Sequence, residues 1–195
     1  MSIFNKVAKS SRPKSTFNLS HDRKFSMPMG KLVPTLCQEV LPGDEWNVNT
    51  QQVIRLAPMV NPMMHDVNVT NHFYYVPKRI LWDLWEDFIR GGDDGLDTSL
   101  LPMVNGLDVS DGSLADYLGL PSSGGLPPVN VLPFLAYNLI YNEYYRDQNL
   151  QEEIFNPFVH KKSNGTYWEQ GTHSVEDFTD ADSEFFQLKS RACVS

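Results

Sequence analysis

Five histidines, two cysteines and several acidic pairs are the side chains of this sequence that could carry chemistry. His21-Asp22 and His65-Asp66 each set an imidazole beside a carboxylate. Adjacent side chains of an extended segment point apart, so neither pair makes a metal site or an acid–base dyad by itself, and hydrogen bonding in turns is the plainer role. Cys37 would need a nearby base and an electropositive setting to act as a nucleophile, and its neighbours Gln38-Glu39 supply the reverse, so a small buried or half-buried residue is expected there. Glu86-Asp87 and Asp93-Asp94 read as a solvated helix face and a loop. There is no Walker loop, dinucleotide fingerprint, nucleophile elbow or metalloprotease helix, so neither a cofactor nor a metal is expected, and nothing demands catalysis.

The elements that would position these groups belong to a loop-rich protein. Thirteen prolines and twelve glycines point to many turns, while 41% hydrophobic content is enough to bury a core. The formal charge of −8 hides an asymmetry. Residues 1–24 carry six basic side chains against Asp22 alone, a net of +5, leaving ten basic against 23 acidic, a net of −13, for the remainder. A basic arm ahead of an acidic body can neutralise phosphates, and the same charges would also suit a frayed, soluble terminus. Cys37 and Cys193 lie too far apart in sequence to suggest a disulfide framework, and no apolar run approaches the ~18 residues of a membrane helix.

Along the chain, 32–41 reads as a strand interrupted by Pro34, Pro42-Gly43-Asp44 as a turn, and 46–56 as a second strand. The clearest strand is 67–76. There Val67, Val69, Phe73 and Tyr75 share one face and Asn68, Thr70, His72 and Tyr74 the other, the alternation of a half-buried strand. Leu81, Leu84, Trp85, Phe88 and Ile89 then recur at helical spacing over about three turns, stopped by Gly91-Gly92. A long connection at about 91–132 follows, with weak local structure except a short helix capped by Ser113. Pro133 opens an aromatic helix running to Arg146, whose Asn138, Asn142, Glu143 and Arg146 suit partner contacts. Beyond Gln151 the chain turns acidic and irregular, with Asn164-Gly165 as a turn.

Aromatic residues concentrate in the two helices that flank the long connection: Trp82 and Trp85 in one, Tyr137, Tyr141, Tyr144 and Tyr145 in the other. Tyrosine and tryptophan favour interfaces because one end is apolar and the other bonds, but the same residues would also fill a core beneath the loops. Both readings stay open here.

Four stretches, in order, resemble the major capsid protein of microviruses, and within them the gokushovirus branch. They are Asn18-Leu19-Ser20-His21-Asp22, Glu39-Val40-Leu41-Pro42-Gly43-Asp44, Phe73-Tyr74-Tyr75-Val76-Pro77-Lys78-Arg79-Ile80-Leu81-Trp82, and the run from Tyr137 through Tyr144-Tyr145-Arg146-Asp147-Gln148-Asn149-Leu150. The last is long and specific. The resemblance implies a mainly β chain, the N-terminal portion of a viral jelly-roll sandwich that is incomplete here, with helical insertions between strands. On that reading 1–24 is a basic arm and 25–195 the beginning of the jelly-roll domain. Family members are much longer, and 187–195 begins like their basic Leu-Lys-Arg segment before diverging, which reads as a shortened gene.

The function so implied is structural. Sixty copies would associate into a T=1 icosahedral shell around single-stranded DNA, together with other phage structural proteins, assembled in the bacterial cytoplasm and residing in the virion. Trp82, Trp85, Tyr141, Tyr145 and Arg146 are the expected subunit-interface residues, and Lys6, Lys9, Arg12 and Lys14 the expected DNA contacts through phosphates. No membrane partner is expected. Two other classes remain at this point: a monomeric ligand-binding β-sandwich protein, and a hydrolase built on paired Asp and Glu.

Overall fold

Local signals set most of the helices. In the computed structural model, which describes residues 13–105, 107, 109–154 and 172–174, helix α1 spans Lys78–Leu81 and α2 spans Trp85–Arg90. The predicted continuous helix is thus two pieces. Trp82 takes extended backbone (φ −146°, ψ 116°) and buries its indole, so the helical spacing of 81–89 is interrupted where a large aromatic side chain finds the core. Gly91 ends α2 in the left-handed conformation (φ 85°) that a residue without Cβ adopts at little cost.

Helix α3, Leu114–Tyr117, begins as expected at Ser113, whose hydroxyl accepts a hydrogen bond from Asp116 N. Helix α4, Leu132–Ile140, carries Pro133 in its first turn, where the missing N–H has no intrahelical partner to lose. It runs on into a π-helical turn, Tyr141–Tyr145, closed by Arg146 N donating to Tyr141 O at 2.8 Å.

The connection at 91–132 holds more structure than its sequence suggests. Strand β1, Met103–Asn105, pairs antiparallel with β2, Val129–Asn130, through Met103↔Asn130 and Val104↔Val129. On its other edge β1 pairs parallel with β3, Thr172–Ser174, giving the order β2-β1-β3. The central Val104 is fully buried, and Val131 N continues the ladder by donating to Pro102 O at 3.2 Å. Val104, Leu114, Val131, Phe134 and Leu135 are the largest fully buried side chains, so the core lies in and beside this connection. Trp82, Tyr137 and Tyr141 join the same cluster.

The three expected early strands form no ladder among the described residues: 32–41, 46–56 and 67–76 lie outside the sheet. Every side chain from Thr35 to Phe73 is exposed, including Val53 and Val60 at about full exposure. In 67–76 the face expected to be covered is the open one, with Phe73 and Tyr75 at 69% and 79% exposure, whereas Tyr74 on the polar face is half-buried. The reason is physical. Alternation specifies that a segment has an apolar face, but a ladder also requires a second strand to pair with, and none of the described residues supplies one. The described chain is therefore low in helix with one small sheet.

Side-chain anchors tie the early segment to the core. Arg23 donates to the carbonyls of Thr35 and Tyr117, and its guanidinium lies 5.7 Å from the Phe25 ring centroid. Phe25 meets Tyr117 edge-on, Tyr117 Oη donates to Ser26 O at 2.6 Å, and Tyr137 Oη donates to Leu32 O at 2.9 Å. The Pro42-Gly43 turn forms as expected, with Asp44 N donating to Leu41 O and Leu41 N donating to Asp44 Oδ2, both at 3.1 Å.

Candidate functional site

The wide π-helical turn sorts four consecutive residues. Tyr141 and Asn142 turn inward, while Glu143 and Tyr144 face outward. Tyr141 Oη donates to Gln151 Oε1 at 2.6 Å, and the Asn142 side chain holds the backbone of Ile154. Tyr145, half-buried, meets Tyr74 hydroxyl to hydroxyl at 2.8 Å. The Tyr144 ring lies 5.0 Å from that of Tyr74 yet remains 69% exposed, and His72 adds an edge-on contact to Tyr145 at 6.0 Å. Thus Tyr74 and His72, on the polar face of 67–76, meet the π-helical turn through aromatic rings.

A second aromatic group surrounds the break between α1 and α2. Trp82, Trp85 and Phe88 meet at centroid distances of 5.5 to 6.4 Å. Lys78 Nζ lies 4.7 Å above the Trp85 ring and pairs with Glu39, joining two of the motif segments. Beside the tyrosine group runs a shallow cleft of about 150 Å³, lined by residues that include Tyr75, Pro77, Ile80, Leu139, Glu143 and Tyr144.

Of the residues expected at an interface, Trp82 and Tyr141 are 3% and 2% exposed and belong to the chain's own core. Trp85, Tyr145 and Arg146 are half-buried. Arg146 Nη1 donates to Gln151 O at 2.9 Å, and its buried Nε makes no hydrogen bond within the described residues. Asn138, within α4, and Asn142, in the π-helical turn, were expected to meet partners and are also buried. Of the expected DNA contacts, Lys14 is exposed, and Lys6, Lys9 and Arg12 lie outside the described residues. The acidic stretch after residue 154, the Asn164-Gly165 turn and Cys193 lie outside them too. The outward apolar surface beside the turn includes instead Tyr75, Ile80 and Tyr144. Tyr144 stood among the aromatics of the last motif, but Tyr75 was hidden by its place on a face that alternation marks as buried.

Among the described residues the groups that could carry chemistry form no metal-ligating cluster. His21 Nδ1 bonds Leu19 O at 2.8 Å in a local turn. Among the described residues no three His, Cys, Asp or Glu side chains are gathered to hold a metal ion, and no helix is long and apolar enough to cross a membrane. Cys37 is exposed rather than half-buried, because the segment that carries it has no covering layer. Desolvation of its thiol nonetheless pushes the pKa up, which disfavours the nucleophilic thiolate.

Among the described residues, exposed aromatic and aliphatic side chains lie beside a small core, and no three metal-ligating side chains are gathered. Comparison with known proteins identifies the family. A family model described as capsid protein (F protein) matches residues 5–179. The capsid protein VP1 of Chlamydia phage 1 is 40% identical over 161 residues, covering 77% of this chain and 27% of that protein. VP1 of Bdellovibrio phage phiMH2K is 38% identical over 148 residues, 74% of this chain and 28% of that protein. The capsid protein F of Enterobacteria phage phiK is 31% identical over 134 residues, 66% of this chain and 29% of its own. The chain spans less than a third of the length of these relatives. The match includes the arm-proximal, strand-like and aromatic motifs in one continuous span, and on that ground the chain belongs to the capsid protein (F protein) family of bacteriophages.

Proposed function

We propose that this chain acts as the N-terminal part of a major capsid protein in a small icosahedral single-stranded-DNA phage, and that its work is done through symmetric contacts and not through a pocket. Family membership gives the capsid role. The observation that carries the architecture is the uncovered apolar side of 67–76, where Phe73 and Tyr75 stand in solvent although the opposite side packs through Tyr74. Such a segment is a sandwich strand awaiting its neighbours: the jelly roll is completed by residues of the kind present in the longer relatives, and 32–41 and 46–56 are its companion strands.

In that shell, a T=1 assembly of sixty copies, Trp85, Tyr145 and Arg146 lie close enough to the surface to contribute to subunit contacts, with Trp82 and Tyr141 supporting them from beneath. Lys6, Lys9, Arg12 and Lys14 form a basic arm that meets packaged DNA through phosphates, independent of sequence. Other phage structural proteins share the particle, which assembles in the host cytoplasm. A monomeric ligand-binding sandwich is not favoured, since the relatives carry capsid names.

Hydrogen exchange tests the architecture. The amides of 67–76 exchange rapidly in the chain alone and become protected when the C-terminal portion of the Chlamydia phage 1 protein is added. Equal exchange with and without that portion would remove the sandwich-strand reading.

A further inference from the structure

The described residues include two Asp-Gly pairs, Asp94-Gly95 and Asp111-Gly112. All four residues are exposed, both glycines are left-handed (φ 77° and 76°), and a Cβ added to either would meet no atom within 4 Å. What differs is the hydrogen bonding. Gly112 N donates to Asp116 Oδ2 at 2.8 Å, a bond to a charged group that fixes its peptide plane ahead of α3. Gly95 N donates to no group among the described residues, and Asp94 Oδ1 instead accepts from Leu96 N at 3.2 Å. That contact folds the Asp94 side chain forward over the Gly95 amide, as aspartate commonly does in turns. The loop that carries this pair returns on α2, where Asp97 N donates to Gly91 O at 2.9 Å.

We propose that Asp94-Gly95 is a site of spontaneous backbone modification, at which Gly95 N attacks Asp94 Cγ to form a succinimide that opens to isoaspartate. In the first step the bond between Gly95 N and Cγ forms and the Cγ–OH bond of the neutral carboxyl breaks. The hydroxyl leaves with the Gly95 amide proton as water. In the second step water adds to the ring carbonyl that was the Asp94 main-chain carbon and breaks its bond to Gly95 N, so that the main chain then runs through Cβ and Cγ. No oxidant, cofactor or second protein is consumed, and the product has the mass of the starting chain. Glycine favours the step because it has no Cβ to obstruct the approach and moves freely between backbone conformations. Leu96 N, by donating to Oδ1, holds the electrophilic carbon near the nitrogen. At Asp111 the same ring requires Gly112 N to leave Asp116, which costs a hydrogen bond to a charged group, so that pair is spared. The extra main-chain atom at 94 lengthens a loop that is closed on the end of α2, and so works against the bond from Asp97 to Gly91.

Ageing of the whole chain at physiological temperature and neutral pH, folded and in concentrated urea, tests this. Isoaspartate is measured with a carboxyl methyltransferase specific for it and placed by electron-transfer fragmentation of the tryptic peptide 91–146, which holds both pairs. Loss of ammonia at Asn105-Gly106 in the same peptide changes its mass and is counted apart. In the folded chain isoaspartate appears at position 94 several-fold faster than at 111, and in urea the two rates converge. Asp94→Glu abolishes the product at 94, since the ring would then need a sixth member. Asp116→Ala, which releases Gly112 N, raises the rate at 111 several-fold and leaves that at 94 unchanged, with far-UV circular dichroism checking that the fold is kept. Equal rates at the two pairs in the folded chain overturn the proposal. So does a folded chain that stays unmodified at 94 while the urea sample reacts, or a folded Asp116→Ala variant in which position 111 stays slow.

Discussion

Asn142 and Ile154 exchange two hydrogen bonds in a buried setting: the Asn142 side-chain Nδ2 donates to Ile154 O at 2.9 Å, and Ile154 N donates to Asn142 Oδ1 at 3.0 Å. The amide of one side chain thereby replaces the partner strand that the backbone at Ile154 would otherwise need. It also explains why an asparagine of the aromatic motif faces inward. Substitution Asn142→Leu leaves a donor and an acceptor at Ile154 without partners and lowers stability by about 1–3 kcal/mol. Asn142→Asp keeps the acceptor but loses the donor, opposing a carboxylate to Ile154 O, and destabilises as well at neutral pH. Urea midpoints of the two variants check this, and a wild-type midpoint for either contradicts it.

Trp82 separates core from interface. At 3% exposure, its replacement by alanine opens a cavity beside Leu81 and the α4 residues and costs about 3–5 kcal/mol. Tyr144→Ala, at a position 69% exposed, changes stability by no more than about 0.5 kcal/mol. Thermal denaturation, run on both variants, separates the two roles. Equal loss of stability would place Tyr144 in the core.

Much of this arrangement was legible where the signal is local. Ser113 caps α3, Pro133 opens α4, Gly91 stops α2 and Pro42-Gly43 turns, because each depends on the backbone within a few residues. The long-range parts were not. β1, β2 and β3 hold three residues or fewer each, too short to show a period, and β1 pairs with residues about 70 positions away. The 67–76 alternation identifies two faces but cannot say which one the rest of the chain covers. Helical spacing across 81–89 likewise did not reveal that Trp82 leaves the helix to bury its ring. The candidate interface suffered from the same ambiguity: residue type marked Trp82 and Tyr141 as contact formers, and only packing assigns them to the core.

Two tyrosine hydroxyls hold the early segment against the helices, Tyr117 to Ser26 O and Tyr137 to Leu32 O. The double substitution Tyr117→Phe, Tyr137→Phe removes both hydrogen bonds, worth about 1 kcal/mol each. Local opening of 23–35 then precedes global unfolding. Limited trypsin digestion should cleave after Arg23, Lys24 and Lys31 several-fold faster than in the wild type, with the core fragment left intact. Unchanged cleavage rates would mean that other contacts hold the segment.

The arm can be read by salt dependence. Replacing Lys6, Lys9, Arg12 and Lys14 by glutamine removes four potential phosphate contacts, and the slope of log affinity against log salt for a single-stranded oligonucleotide falls by about 3 in magnitude, at ~0.7 per contact. Fluorescence anisotropy across a salt series measures it. An unaltered slope would assign these charges to solubility alone.

The capsid role itself is tested most directly by sedimentation and electron microscopy of the purified chain mixed with the C-terminal portion of the Chlamydia phage 1 protein. The account predicts fast-sedimenting pentamers or closed particles in the mixture and none in either component alone. A folded monomer that ignores the added portion, at every concentration tried, would contradict it.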